Sequence, residues 1–252
     1  MNSPSISVSN ITPAQSHLTT SDFKEKIIVA LDLPTAQAAI ELCDRLPDVT
    51  FWKVGLELFI ADGQTVLKEL KDRNKKIFLD LKLHDIPNTV AAACRMATKY
   101  GADFLTIHAA GGKAMMQAAQ AEVQGSATQL LAVSLLTSIS AEELRSDLLI
   151  GLEVSEYVEQ MVSMAYQSGL TGAVCSPHEV GGLRSHLQSV YGEAVSRDFC
   201  FVTPGVRPVG SVQGDQRRVM TPQEAIAAGA NYLVIGRPIT AAVDPVAAWQ
   251  AI

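Results

Sequence analysis

The feature that most constrains the fold is a chain-long alternation of short apolar runs with longer helical stretches. Eight such runs occur between Lys26 and the C-terminus. They recur at roughly 25-residue intervals, with longer gaps before the sixth and the eighth, and this spacing predicts parallel strands joined by right-handed crossovers. The runs are Lys26–Leu31, Thr50–Val54, Ile77–Leu81, Phe104–Ile107, Leu130–Leu135, Gly172–Cys175, Phe199–Val202 and Tyr232–Ile235.

The ends of the helical stretches carry their own signals. Gly101, Gly169 and Gly229 each precede a run, where glycine suits the left-handed position that follows a helix. Thr221–Glu224 supplies an N-cap threonine, a proline in the first turn and a glutamate that closes a capping box. No Gly-x-Gly-x-x-Gly follows the first run, which disfavours a dinucleotide-binding sheet. Eight units of this kind favour a (β/α)8 barrel.

The sequence therefore predicts one α/β domain, a (β/α)8 TIM barrel over residues 23–252, because no domain-scale linker interrupts the alternation. Residues 1–22 are rich in Ser and Thr and contain neither Lys nor Arg. They lack the charged start and apolar centre of a signal peptide and the arginines of a mitochondrial presequence. We expect them to form a disordered N-terminal extension.

Composition limits the partners. The net charge is −6 and no basic block is present, which argues against nucleic acid and against an anionic membrane surface. No apolar run approaches the length that spans a bilayer. The four cysteines are scattered without a Cys-x-x-Cys pair, so we expect buried, reduced thiols in a cytoplasmic protein. An anionic small substrate would need a local cluster of Lys and Arg.

The segment Asp80–Thr89 places charged side chains where a core strand would normally continue. Because side chains alternate faces along a strand, Asp80 and Lys82 should point to one side and the neighbouring leucines to the other. Pro87 removes a backbone donor, so the strand should end near Asp85. Unpaired buried charge is unfavourable. The group is therefore either a structural ion-pair cluster or one that faces a ligand.

Polar residues also follow other runs. Asp32 ends the first run and Lys53 lies in the second, while His108 ends the fourth; Thr137 and Ser138 follow the fifth. In a barrel the C-terminal ends of the strands converge at the face that carries the active site. Lysine and aspartate at three successive strand ends are hard to explain by solubility, and they predict a common pocket.

The loops after the seventh and eighth runs have the composition of a phosphate site. They read Thr203–Pro208 and Gly236–Pro238. Phosphate commonly binds between these two loops in barrels, where glycine lets backbone N–H groups approach the anion. Arg207 and Arg237 would add bidentate contacts, although Pro-Gly turns and exposed arginines are also common without a ligand. The glycine-containing stretch 209–218 has the length of a lid.

Other candidates are weaker. His84 follows the third run, and a structural role is favoured for it; His108 fits a structural or a catalytic role equally. Asp80 and Asp85 with a third carboxylate would make a cation site, but Lys82 between them would repel a divalent ion. No metal is therefore expected, and no Gly-x-Ser-x-Gly nucleophile motif is present.

The segment Asp80–Thr89 closely resembles the signature of the orotidine 5′-phosphate decarboxylase family. Other matching segments keep the family's order and approximate spacing from Lys26 to the C-terminus, and only the N-terminal extension lies outside. These segments are Val29–Asp32, Trp52–Gly55, Leu136–Ser138, Thr203–Pro208, Asp215–Arg218 and Gly236–Pro238.

The resemblance implies a homodimeric barrel that converts orotidine 5′-phosphate to UMP and CO2, the last step of de novo UMP synthesis, with no metal or organic cofactor. It implies a charged array of Lys53, Asp80, Lys82 and Asp85. In that array Lys82 would be the general acid that protonates C6 of the pyrimidine.

The remaining roles that the resemblance implies concern binding. Asp32 and Lys53 would hold the ribose, and Thr137 the pyrimidine region, with Ser140 as a further candidate. Asp85, Ile86 and Thr89 would reach into the neighbouring subunit's site. The phosphate would be bound by Arg207, Gln216, Gly236 and Arg237.

Two alternatives remain. A metal-dependent sugar-phosphate decarboxylase or aldolase shares the Asp-x-Lys-x-x-Asp core but would need Mg²⁺ and another acidic ligand, and the Asp-Ile-Pro-Asn-Thr continuation speaks against it. A catalytically silent phosphate-binding protein is the other, and Lys82 between two aspartates disfavours it, because a binder has no need for a buried acid.

Overall fold

A computed structural model describes residues 20–207 and 220–252. Within these ranges eight parallel strands pair in sequence order, and β8 pairs with β1 to close a barrel. The predicted α/β barrel is confirmed. The strands are β1 Ile27–Leu31, β2 Phe51–Gly55, β3 Lys76–Leu83, β4 Phe104–His108, β5 Gln129–Val133, β6 Gly172–Val174, β7 Cys200–Thr203 and β8 Tyr232–Ile235.

Helices follow the strands and form the outer layer. Their apolar faces pack on the outward side chains of the strands in one large buried cluster. The helices are α1 Thr20–Lys24, α2 Ala36–Arg45, α3 Leu56–Asp72, α4 Pro87–Lys99, α5 Gly112–Val123, α6 Ala141–Ser146, α7 Val154–Gln167, α8 Val180–Tyr191, α9 Glu193–Asp198, α10 Pro222–Ala227, α11 Arg237–Thr240 and α12 Pro245–Gln250, with a 3-10 turn at Ala109–Gly111.

A second buried cluster fills the barrel interior with the inward side chains of the strands. At the N-terminal end of the barrel, the rings of Phe51, Phe104 and Tyr232 lie with their centroids 5.2 to 5.6 Å apart. Offset and edge-to-face contacts of this kind are favourable for aromatic rings. They fill the barrel interior at that end with packed aromatic side chains.

The local signals predicted from sequence occur where expected. Gly101, Gly169 and Gly229 have φ angles of 70°, 86° and 104°, the left-handed region that ends a helix. Thr221 caps α10 with Pro222 in its first turn, and its capping box with Glu224 is complete. The three glycine turns let the preceding helices return the chain to β4, β6 and β8 within a few residues.

Some boundaries differ from the predictions. Strand β3 ends at Leu83, before the expected Asp85, and β5 ends at Val133. Helix α1 begins at Thr20, inside the segment 1–22 that was expected to be disordered; the rest of that segment lies outside the described residues. In the part of the chain that is described, no helix is both long and apolar enough to cross a membrane.

Candidate active site

A cavity of about 270 Å³ opens at the C-terminal ends of the strands. Its floor is the upper layer of the barrel interior: Ala30, Phe78, Val174 and Val234. The site therefore stands on close-packed apolar side chains that hold the polar groups above them in place. Eight of the residues predicted for the site line this cavity: Asp32, Lys53, Asp80, Lys82, Thr137, Arg207, Gly236 and Arg237.

Two lysines and two aspartates form a continuous row of ion pairs across the first three strands. The Nζ atom of Lys53 lies 2.7 Å from Oδ1 of Asp32 and 3.9 Å from Oδ2 of Asp80. The Nζ atom of Lys82 lies 2.7 Å from the same Oδ2 of Asp80. The Lys53 and Asp80 side chains are only 10% and 12% exposed, so their charges are poorly screened.

Backbone geometry at Lys82 is unusual. Its φ angle is 49°, in the left-handed region that a non-glycine residue adopts at a cost of about 1–3 kcal/mol. The pairing of β3 with β4 shifts register between Leu79 and Leu83. Asp80 and Lys82 nevertheless both face the cavity, as the sequence predicted. Across this irregular stretch the Lys82 ammonium contacts Oδ2 of Asp80.

Lys53 approaches the backbone closely at Gly55. A Cβ atom placed on Gly55 would lie 2.8 Å from Nζ of Lys53 and 3.3 Å from Oδ1 of Asp32. The first distance is shorter than an ordinary van der Waals contact. Glycine at this position therefore leaves the volume that the Lys53 ammonium needs to reach Asp32.

Another part of the cavity wall comes from the loops after β7 and β8. Gly205 has a φ angle of 79°, and the Arg207 N–H donates to the Met220 carbonyl at 3.1 Å. The Arg207 residue is 8% exposed, whereas Arg237 at the start of α11 is exposed. Two arginines and glycine-containing backbone thus border the same cavity as the row of lysines and aspartates.

Other predicted residues lie elsewhere. Asp85 and Ile86 in the β3–α4 connection and Thr89 in the first turn of α4 are exposed and do not line this chain's cavity. Gln216 and the proposed lid at 209–218 lie outside the described residues. Ser140 caps α6, where its side chain accepts from the Glu143 N–H, and it does not line the cavity.

The two histidines near the site form a pair whose ring centroids are 5.3 Å apart. Burial lowers the pKa of His108, and the nearby His84 and Lys82 lower it further. Neither ring lines the cavity. The lowered pKa disfavours the protonated form of His108.

The sequence profile described as the orotidine 5′-phosphate decarboxylase / HUMPS family matches residues 25–252. The chain belongs to this family. A curated relative from Gloeothece citriformis, named orotidine 5′-phosphate decarboxylase, is 58% identical over 90% of this chain and 96% of its own length. One of the same name from Nostoc is 54% identical over 90% of this chain and 95% of its own length. These relatives make the chain an enzyme of the decarboxylase branch.

A solved structure supports the same assignment. The orotidine 5′-phosphate decarboxylase from Lactobacillus acidophilus superposes with a TM-score of 0.76 at 40% identity, over 90% of this chain and 96% of that one. The family resemblance drawn from Asp80–Thr89 is thus confirmed across the whole barrel. In residues 20–207 and 220–252, no three His, Cys, Asp or Glu side chains group as a metal site.

Sequence reasoning missed two residues of this family member's site. Thr106 is fully buried on β4, and its hydroxyl contacts both Asp80 and Lys82. Gly55 is missed because its importance comes from a close approach of side chains across strands. The available signal for Thr106 was a hydroxyl inside the otherwise apolar run Phe104–Ile107.

Proposed function

We propose that this decarboxylase converts orotidine 5′-phosphate to UMP and CO2, as the last step of de novo UMP synthesis, using Lys82 as general acid and neither metal nor organic cofactor. The observation that carries the proposal is the Lys82 ammonium at the cavity wall, 2.7 Å from the Asp80 carboxylate. An ammonium held this way is oriented to donate a proton to a neighbouring carbon.

The reaction needs charge stabilisation at one atom. The bond between C6 and the carboxylate carbon breaks, CO2 leaves, and the electron pair stays on C6. The ring cannot readily delocalise that pair, so a cation beside C6 stabilises it and then supplies the proton. Lys82 becomes a neutral amine in this step and regains its proton from water. The net reaction consumes one proton from solvent, and with that proton atoms and charge balance.

Repulsion in the bound state is the smaller contribution. A substrate carboxylate about 4 Å from Asp80 would be repelled by about 4 kcal/mol at an effective dielectric constant near 20. The ammonium groups of Lys53 and Lys82 both lie within 4 Å of the Asp80 carboxylate and offset part of this repulsion. Stabilisation of the developing charge by Lys82 is therefore the main source of rate enhancement.

The remaining cavity groups bind the rest of the substrate. Asp32 and Lys53 form a pair suited to the ribose hydroxyls, and Thr137 offers a hydroxyl to the pyrimidine. Arg207, Gly236 and Arg237 line the cavity and, together with Gln216, would hold the phosphate. Phosphate binding far from C6 contributes by excluding water and fixing the ring.

The active unit in this proposal is a cytoplasmic homodimer whose sites are shared. Asp85, Ile86 and Thr89 are exposed in one chain, and Ile86 is 65% exposed although it is large and apolar. A second subunit would cover Ile86 and receive Asp85 beside its own Lys82. This arrangement would put a carboxylate on each side of the ammonium.

Replacing Lys82 tests its role. Lys82→Ala should abolish conversion of orotidine 5′-phosphate to UMP, measured by chromatography, while UMP affinity changes by less than about tenfold, or 1.4 kcal/mol. Lys113→Ala is the matched control, because Lys113 is an exposed lysine bonded to Gln167 on the helical layer. Turnover of Lys82→Ala at the rate of the control would refute the general-acid assignment.

Subunit mixing tests the shared site. Lys82→Ala and Asp85→Ala should each be inactive alone, because each removes one member of every site. After subunit exchange, a mixed dimer contains one site with both groups intact, so activity should reappear. Exchange verified by mass spectrometry with no recovered activity would contradict the shared-site arrangement.

A further inference from the structure

Thr106 lies opposite the irregular part of β3. Leu79 pairs with Leu105 and Leu83 pairs with Ile107, so four steps along β3 match two steps along β4. The two extra residues on β3 interrupt the ladder at the point where Lys82 adopts its positive φ angle. A backbone N–H in such an interruption needs an acceptor outside the regular β3–β4 ladder.

The Thr106 hydroxyl is that acceptor. Its Oγ1 accepts a hydrogen bond from the Lys82 backbone N–H at 2.9 Å and donates one to Oδ1 of Asp80 at 2.9 Å. With Oδ1 held, Oδ2 of Asp80 faces Nζ of Lys82 at 2.7 Å and Nζ of Lys53 at 3.9 Å. One fully buried hydroxyl thus fixes both the acid and the carboxylate beside it.

We propose that Thr106 is a positioning residue of the decarboxylation, acting through Asp80 and Lys82. Thr106 does not line the cavity, so it has no contact with substrate. Its hydroxyl hydrogen bonds hold the Lys82 backbone in the left-handed conformation and select the rotamer of Asp80. This role deepens the proposed function, and it assigns the orientation of the charged row to a side chain on the neighbouring strand.

Substitutions at Thr106 separate the hydroxyl from its packing. Thr106→Val keeps the shape and removes the oxygen, whereas Thr106→Ala and Thr106→Ser differ from each other by that oxygen alone. We expect Val and Ala to lower kcat roughly 10- to 100-fold, the range for losing a hydrogen bond to a charged group. KM should change less than about threefold, because the phosphate contacts are untouched. Thr106→Ser should recover most of kcat.

Thr128→Val is the matched control. Thr128 is also buried, and its hydroxyl donates to the Ala102 carbonyl at 2.7 Å, away from the cavity. Its kcat should equal that of the unaltered protein even if its melting temperature falls. A kcat of Thr106→Val within twofold of the unaltered protein would overturn the proposal. So would an equal loss in Thr106→Ser and Thr106→Ala, because the hydroxyl would then be irrelevant.

Amide hydrogen exchange at Lys82 gives a readout that does not depend on activity. The Lys82 N–H should exchange at least about tenfold faster in Thr106→Val than in the unaltered protein, and Thr106→Ser should restore protection. Unchanged exchange in Thr106→Val would overturn the proposal. If the unaltered protein failed to decarboxylate orotidine 5′-phosphate, the proposed function would fall, and the exchange experiment would still decide separately whether Thr106 holds the Lys82 backbone.

Discussion

Adding one methyl group at Gly55 should displace the Lys53 ammonium without unfolding the barrel. The Gly55 backbone has φ −92° and ψ −178°, an extended conformation that alanine adopts freely. The new Cβ would lie 2.8 Å from Nζ of Lys53, which is the end of a flexible side chain. Restoring a contact of about 3.5 Å requires Nζ to move by about 0.7 Å. The substitution therefore perturbs the charged row and spares the core.

The size of the effect follows from the Lys53–Asp32 distance. If the 2.7 Å separation lengthens to about 3.4 Å, the attraction falls by about 1.3 kcal/mol at an effective dielectric constant near 20 and by about 0.3 kcal/mol at 80. The Asp32 side chain is 54% exposed, so the loss lies between these limits. When the whole of this lost attraction is taken from the stabilisation of the transition state, kcat/KM for orotidine 5′-phosphate falls by about two- to ninefold.

Gly182→Ala is the control for this experiment, because a Cβ at Gly182 in α8 meets nothing within 4 Å. Steady-state kinetics with orotidine 5′-phosphate and a thermal melt should show Gly55→Ala impaired in kcat/KM and both variants folded. If Gly55→Ala matched the control in kcat/KM, the position of the Lys53 ammonium would not matter to the reaction, and the reasoning would be wrong.

Three further predictions concern titration and packing. Burial, His84 and Lys82 lower the pKa of His108 below its ordinary 6.5, so the unfolded chain takes up this proton first and the free energy of unfolding falls as the pH drops below about 6.5. In His108→Gln, the free energy of unfolding measured in urea should change less between pH 7 and pH 5. An unchanged dependence on pH would contradict this. Arg184→Met should lower the free energy of unfolding by about 2–4 kcal/mol, because it removes hydrogen bonds to the Gly229 and Phe199 carbonyls, and Arg184→Lys should not restore them. An unshifted midpoint of urea unfolding would contradict this. Burial raises the pKa of the cysteine thiols, to about 12 for Cys43, Cys94 and Cys200 and well above its ordinary value for Cys175. These thiols should therefore react with a disulfide reagent only after denaturation, and fast labelling of the folded protein would refute this.

Much of the barrel could be predicted from the sequence because the signals that end helices and begin strands are local. A glycine such as Gly229 before a strand, or the capping box begun by Thr221, fixes a helix end through neighbours a few residues away. Together with the eight apolar runs, such signals define both the strand order and the face where functional groups converge. Asp32 and Lys53 reach the cavity for that reason.

The details inside the site depend on contacts between strands, which the sequence does not display. The two-residue irregularity in β3 exists only against β4, and the part played by Thr106 follows from that register. The clearance at Gly55 likewise depends on the conformation of the Lys53 side chain. Ser140 is the opposite case, because its role is visible in the sequence itself. Ser140 and Glu143 form the Ser-x-x-Glu pattern of a capping box, whereas the family resemblance indicated ligand binding.

The central claim is that the protein's own side chains carry out the decarboxylation. The most direct measurement follows the ultraviolet absorbance of orotidine 5′-phosphate after addition of dialysed protein in excess EDTA. We predict rapid conversion to UMP at a rate that EDTA does not change, and no conversion by Lys82→Ala. An unchanged spectrum in EDTA, with activity on a sugar phosphate once Mg²⁺ is restored, would contradict the claim and assign the chain to metal-dependent chemistry.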